Sequence, residues 1–207
     1  CESDLDNDGV CDVDEVSGCM DETACNYNPE ATMADGGCDI PEQGYDCAGN
    51  ITEYLVGMET EGGIVFYVDE TGEHGLVSAL EILPGTYEWG CYGQGVNGAD
   101  GTSIGTGYQN TMDIVNQGCT TVNGGVDEIA HITAAQAALN SDINGYTDWY
   151  LPSIDELQEL HSLWVLNGGE EFLNHFGLRW SSSEMNSNAA WCIFFNSNSV
   201  TGGTIDN

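Results

Sequence analysis

Lysine is absent from this sequence, and Arg179 is its one arginine. Against that single cation stand 35 Asp and Glu residues, for a formal net charge of −34. Nucleic acids and anionic membranes are held by Lys and Arg on phosphate, so the charge balance excludes both as partners. Long apolar runs are missing as well. None approaches the ~20 residues of a membrane-spanning helix, and no segment is expected to cross a membrane. Catalytic groupings are also scarce. His74, His131, His161 and His175 are scattered, and no HExxH zinc pair occurs. His161 falls on an apolar helical stripe and reads as core. With no nucleophile and base assembled, the chain is not expected to be an enzyme. It begins at Cys1, carries no signal-type segment, and reads as a mature or excised piece.

What is present in excess is carboxylate and cysteine. Self-repulsion among so many anions opposes compaction unless counterions or bound divalent cations offset it. Hard cations with oxygen ligands, calcium above all, suit this composition, although most individual carboxylates read simply as a hydrated face. Of nine cysteines, six fall within the first 47 residues. That density in a segment with few aliphatics predicts a disulfide framework formed in an oxidising compartment. Zinc is the rival reading, but the spacings are irregular, no CxxC occurs, and the histidines lie outside the cluster. Nine is odd, so one cysteine is left as a thiol or bonded outside the chain.

Composition shifts near residue 50, which predicts two domains, residues 1–50 and residues 54–207. The junction is placed at Ala48-Gly49-Asn50-Ile51-Thr52, whose Asn50-Ile51-Thr52 acceptor pattern for glycosylation reads as coincidence. The front segment cannot bury much apolar area, so staples and ions must hold it. Within it, Asp4-Leu5-Asp6-Asn7-Asp8-Gly9-Val10-Cys11-Asp12-Val13-Asp14-Glu15 has the spacing of a calcium loop. Asp4, Asp6, Asp8 and Asp12 bring side-chain oxygens, Val10 its carbonyl, and Glu15 the closing carboxylate, while Gly9 takes the sharp turn. Carboxylates this close cannot all stay ionised without a cation among them. No flanking helices are evident, so a rigid structural site is expected rather than a switch.

The second region reads as α+β. Gly63–Val68 and Gly75–Leu80 predict a hairpin around the turn residues Glu70-Thr71-Gly72-Glu73. Residues 132–142 predict a short alanine-rich helix. Ser153 with Glu156 forms a capping box that opens a second helix, with Leu157, Leu160, His161 and Trp164 at helical spacing. Strands are expected at Leu178–Ser182 and Ala190–Phe195, and the Gly-, Asn- and Thr-rich stretch 93–127 reads as surface loops. Trp149, Trp180 and Trp191 are expected in the core, and Asp148 and Glu184 on buried backbone donors. Cys91 and Cys119 bracket a glycine-rich loop and could staple it, which makes Cys192 the odd cysteine. Tyr92 and Tyr108 are candidate aromatic platforms for a sugar face.

The calcium loop resembles the type 3 repeats of thrombospondin and related bacterial adhesin stalks, where calcium orders the chain and does not signal. Gly18-Cys19-Met20-Asp21-Glu22-Thr23-Ala24-Cys25-Asn26-Tyr27-Asn28-Pro29-Glu30-Ala31-Thr32, then Asp35-Gly36-Gly37-Cys38 and Gly44-Tyr45-Asp46-Cys47-Ala48-Gly49-Asn50, resemble a repeat of large secreted proteins of marine Bacteroidetes. The resemblance implies tandem units, surface display or secretion by the type IX route, and Cys1 as an internal repeat cysteine rather than a lipidated terminus. It leaves the pairing open; Cys19–Cys38 is the first choice, followed by Cys25–Cys47 and Cys1–Cys11.

In the second region, Gly62-Gly63-Ile64-Val65-Phe66-Tyr67-Val68, Tyr87-Glu88-Trp89-Gly90, Ile104-Gly105-Thr106-Gly107-Tyr108-Gln109-Asn110-Thr111, Gly145-Tyr146-Thr147-Asp148-Trp149-Tyr150-Leu151-Pro152-Ser153, Asp155-Glu156-Leu157 and Trp180-Ser181-Ser182-Ser183-Glu184 stand out. Together they resemble the C-terminal domain of the Legionella collagen-like adhesin. The resemblance implies a C-type-lectin-like fold, akin also to the formylglycine-generating enzyme, and attachment of cells to glycans and surfaces. The reactive cysteine pair of that enzyme is not identifiable here. The Glu-Pro-Asn, Gln-Pro-Asp and Trp-Asn-Asp signatures of calcium-mediated sugar binding are absent, so any glycan contact is expected to be calcium-independent. A last strand with a Val-Arg-Ala-Val-Arg-like segment, usual in the family, is not reached before Asn207; either the piece is truncated or that strand lies elsewhere, and a missing strand would leave an open edge. The expected function is a secreted cell-surface adhesion or ligand-binding module with structural calcium. The alternative is a subunit of an extracellular filament or repeat fibre, joined to neighbouring copies by strand pairing.

Overall fold

The computed structural model describes residues 9–121, 132–169, 172, 173, 175 and 177–195, and the backbone of 200–204. The chain divides into two compact units, Cys1–Leu55 and Val56–Asn207. The segment expected as the junction folds within the first of these. Tyr45 and Ile51 form an antiparallel bridge, and Asp46 N donates to Asn50 O at 2.9 Å.

The first unit has almost no regular structure, for the reason its composition suggests. Among its described residues the buried hydrophobic side chains are Cys19 and Ala24. One parallel pair, β1 (Ser17–Gly18) with β2 (Met33–Ala34), is its whole described sheet. Side chains take over the backbone's bonding elsewhere. Asp21 accepts from Thr23 N and Oγ1, Asp46 from the amides of Ala48 and Asn50, and Asn26 bridges to Gly37 O and Asp39 N. Such Asx turns replace ladder bonds where no apolar face exists to build a sheet on. Cys19–Cys38 and Cys25–Cys47 close loops of 19 and 22 residues. By loop entropy each restricts the unfolded chain by about 3 kcal/mol.

The second unit is mixed α and β. β3 (Glu59–Thr60), β4 (Gly63–Val68) and β5 (Gly75–Ser78) form one antiparallel sheet in that order, and β4–β5 is the expected hairpin. Asp69 shapes its turn by accepting from Thr71 N and Gly72 N. A second antiparallel sheet holds β6 (Gly177–Asn186), β7 (Ala189–Phe195) and β8 (Val200–Thr204), with β7 central. Three helices complete the unit: α1 (Gly107–Asn116), α2 (Ala134–Leu139) and α3 (Ile154–Leu166). Helix α3 packs against β4, β6 and β7, and α1 against α2 and β6. Ile154, Leu157, Leu160 and Trp164 of α3 meet Ile64, Phe66, Ile193 and Phe195 in the main core. Full burial of each such side chain stabilises by roughly 1.5–3 kcal/mol. A second cluster gathers Trp89, Val96, Ala99, Ile114, Ala135 and Ala190.

Three expectations need correction. The stretch expected as loops contains α1. Its buried positions are Gly107, Asn110, Thr111 and Ile114, a helical stripe in which only one member is apolar, so hydrophobic periodicity does not show it. Trp149, Trp180 and Trp191 are half-buried; Trp180 and Trp191 pack against the core clusters as expected, whereas Trp149 is not among the residues packed there. The buried tryptophans are Trp89, whose Nε1 donates to Ser181 O at 2.8 Å, and Trp164, whose Nε1 donates to Leu173 O at 3.0 Å. Asp148 is exposed. Glu184 does take a backbone donor, Val96 N, at 3.1 and 3.2 Å from its two oxygens.

The deep backbone acceptor is Glu156. Its capping box with Ser153 is present, but its role extends further. The carboxylate is fully buried; Oε2 accepts from Ser153 N at 2.8 Å, and Oε1 from Gly105 N at 2.7 Å and, more weakly, Gly107 N at 3.5 Å. One side chain thus joins the start of α3 to the loop and the first turn of α1. Gly107 is required by this approach. A Cβ there would run into Glu156 Oε2 and lie 2.7 Å from Ser153 N. Around it Asn110 Nδ2 donates to Gly101 O, Ser183 Oγ donates to the same carbonyl, and Ile154 N donates to Ser183 Oγ. Buried polar groups persist only when bonded in this way.

Glu156→Ala should therefore leave buried amides without their acceptor and lower unfolding stability by about 3 kcal/mol or more, whereas Glu156→Gln, which keeps one acceptor oxygen, should cost less. Denaturant unfolding of both variants checks this; an Ala variant as stable as the parent would contradict it.

Candidate functional site

The calcium-loop expectation falls partly on described residues. Asp4, Asp6 and Asp8 lie outside them. Gly9 adopts φ +96° with nothing within 4 Å of its would-be Cβ, so backbone conformation rather than crowding calls for glycine at the sharp turn. Asp14 N then donates to Cys11 O at 2.7 Å and curls the loop. Val10, Asp12 and Glu15, the three expected ligand positions on described residues, are half-buried, while Val13 between them is 90% exposed. Carboxylates drawn inward and a valine turned out invert the usual preference. Among the described residues no group of three or more His, Cys, Asp or Glu is gathered for a metal.

The cysteines divide as follows. Cys19–Cys38, Cys25–Cys47 and Cys91–Cys119 are bonded, the last closing 28 residues around the glycine-rich segment. The expected Cys1–Cys11 pair rests on Cys1, which lies outside the described residues. Cys192 takes part in none of these three bonds and is buried in β7.

A cavity of about 650 Å³ opens in the second unit. Its walls come from separated elements: Phe66 and Val77 of the hairpin, the 79–88 segment, Ala134 and Ala138 of α2, Trp149 to Pro152, Leu157 and Leu160 of α3, and Leu178 to Trp180 of β6. The volume lies within the range of small-ligand sites, and the mixture of apolar wall with a few polar groups is their usual chemistry. Trp149 Nε1 donates to Tyr146 O and Trp180 Nε1 to Tyr87 O, so both indoles are held in place and are only half-buried. Burial, then the charges of Glu156 and Asp148, pushes the Tyr150 hydroxyl up from its ordinary value and keeps it neutral. No positional motif points to this site, because its walls meet only in three dimensions.

Tyr92 and Tyr108, the candidate sugar platforms, are 44% and 51% exposed and do not line the cavity. Tyr108 packs edge-on against Tyr150 at 5.9 Å. Two glycine patterns escaped the sequence reading. Gly101-Thr102-Ser103-Ile104-Gly105 has the spacing of a hydrolase nucleophile elbow, and Gly93-Gln94-Gly95-Val96-Asn97-Gly98 that of a dinucleotide loop. Neither sits in its required context. No strand leads into Ser103, and no helix opens directly at Gly98, α1 starting only at Gly107. The Ser103 carbonyl instead accepts from Ser153 Oγ and Thr106 Oγ1. His161 is buried against Trp164 and Phe195, as an apolar-stripe histidine should be.

No protein-family model matches the chain, and no curated protein matches it significantly. No helix among the described residues is long and apolar enough to cross a membrane.

His175 also lines the cavity, and its Nε2 donates to Ala79 O at 3.0 Å. Burial, then the nearby Arg179 charge, lowers its pKa from 6.5 to about 4, against the opposing effect of that hydrogen bond. The unfolded histidine takes up a proton that the folded one refuses. Its contribution is therefore whole above about pH 6.5 and is lost as pH falls towards 4, by roughly 3 kcal/mol at most. Denaturant unfolding across that window should show a smaller pH slope for His175→Leu than for the parent, whatever the variant's absolute stability; equal slopes would contradict the assignment.

Proposed function

We propose that this chain is a secreted, cell-surface ligand-binding or adhesion module. Its second unit carries the binding site, and its first unit is a brace held by disulfides and calcium. The observation that carries the reading is the 650 Å³ cavity, walled by half-buried indoles and aliphatic side chains. Those walls are set by the hairpin, α2, α3 and β6, so the site is formed before a ligand arrives and loses little entropy on binding. Three disulfides support an oxidising, extracellular setting. The C-type-lectin-like and adhesin resemblance of residues 54–207 agrees with a binding role, and the calcium-repeat resemblance of residues 1–50 with a structural one. Calcium in this reading is held by Asp4, Asp6, Asp8, Asp12, Glu15 and the Val10 carbonyl, and it screens carboxylates that would otherwise repel one another.

One observation favours the filament alternative. The outer edge of β6 is covered, since Ser182 N donates to Pro152 O and Glu184 N to Ala99 O. The outer edge of β8 has no strand beside it among the described residues. An edge with no strand beside it is where a neighbouring copy could add one.

Immobilised chain should retain ligands from an array of glycans and apolar small molecules. A cavity-filling Ala138→Trp variant should lose that retention. No retention, with ordered polymers seen by electron microscopy, would favour the filament instead. Calcium titration of chelator-treated chain should show saturable binding that Glu15→Gln weakens by about tenfold or more, from loss of one charge and one oxygen ligand. Unchanged affinity in that variant would remove calcium from the loop.

A further inference from the structure

The chemistry of the cavity wall restricts what can enter it. Three carboxylates line the cavity, Glu81, Glu88 and Glu156, against one guanidinium, Arg179. Glu88 is buried beside the cavity, Glu81 is exposed, and the fully buried Glu156 turns its oxygens to backbone amides. Neighbouring His175 adds no positive charge at neutral pH, its pKa being lowered to about 4 chiefly by burial. Aromatic rings supply much of the remaining wall, among them Trp149, Tyr150 and Trp180. The face of such a ring carries partial negative charge and attracts organic cations. Beyond the cavity, the chain as a whole carries −34, so its field concentrates cations and repels anions at the mouth.

We infer that the cavity takes an apolar organic cation, an alkyl or aryl ammonium group with a hydrophobic body, and discriminates against apolar carboxylates and sulfates of the same size. The inference rests on the cavity being the binding site proposed above and adds the class of ligand. The hydrophobic body fills the space between Phe66, Leu157 and Trp180, and the ammonium group faces the ring planes and the Glu88 side of the wall. A sugar fits this wall less well. Its many hydroxyls would be stripped of water against aliphatic side chains with few acceptors in return.

The test uses the full chain and three probes of one chain length below their micelle concentrations: decyltrimethylammonium, decanol and decanoate. Binding is followed by tryptophan fluorescence, since Trp149 and Trp180 line the cavity. At about 0.15 M salt, where long-range surface attraction is largely screened, the ammonium probe should bind saturably and about tenfold or more tighter than decanoate. Decanol should fall between them. Ala138→Trp should abolish saturable binding of all three. Glu88→Gln, which keeps the side chain's shape, should narrow the ammonium-to-decanoate ratio several-fold. Decanoate binding as tightly as the ammonium probe would overturn the inference and leave the cavity a binding site. An ammonium signal that does not saturate and persists in Ala138→Trp would assign it to the acidic surface and overturn the inference too. Binding by none of the probes would overturn both the inference and the apolar-site reading beneath it.

Discussion

A single buried carboxylate organises the second unit. Glu156 is excluded from water, and its oxygens face the amides of Gly105, Gly107 and Ser153. Two segments far apart in sequence depend on that contact: the turn into α1 with its first turn, and the start of α3. Around it, three successive serines of β6, all fully buried, spend their polar groups on neighbouring backbone. Ser181 Oγ donates to Trp191 O, Ser182 N to Pro152 O, and Ser183 Oγ to Gly101 O. The register between β6 and β7 shifts at this point, so Ser182 and Ser183 bond to loops while Ser181 turns its hydroxyl to β7. Glu156 also lines the cavity, which ties the geometry of the binding wall to the same polar centre.

The two units solve the problem of stability differently. The second buries aromatic and aliphatic side chains in two clusters and adds the Cys91–Cys119 staple. The first has nearly nothing to bury and relies on covalent closure and Asx turns. A chain with one cation and 35 carboxylates cannot neutralise itself with ion pairs. Bound divalent ions are the remedy proposed for the front unit, whereas in the second unit the fully buried Glu156 is set against backbone N–H groups.

Much of this was readable in the residues, and the parts that were not share a cause. The Ser153–Glu156 capping box is a local pattern, three residues apart, and it marks the start of α3 correctly. The hairpin is likewise announced by β-branched runs around Asp69 to Glu73. Cys19–Cys38 and Cys25–Cys47 were among the pairs that the repeat resemblance suggested. Helix α1 was hidden because it buries Gly107, Asn110 and Thr111, residues whose value lies in close approach and hydrogen bonding rather than hydrophobicity. The wider role of Glu156 was hidden because Gly105 stands 51 residues from it in sequence. Trp89, unlike Trp149, fills the core, since it has both a closed apolar shell and an internal acceptor in Ser181 O. The cavity was illegible for the same reason: its walls are drawn from six separate stretches of chain.

Native-state amide hydrogen exchange at Gly105, Gly107 and Ser153 tests the central role of Glu156 most directly. If one interior carboxylate holds these segments together, the three amides will exchange as slowly as the helical amides of Leu157 and Leu160, through opening of the whole unit. Exchange at the pace of the exposed hairpin turn near Thr71 would mean that Glu156 merely sits beside them, and the account would fail.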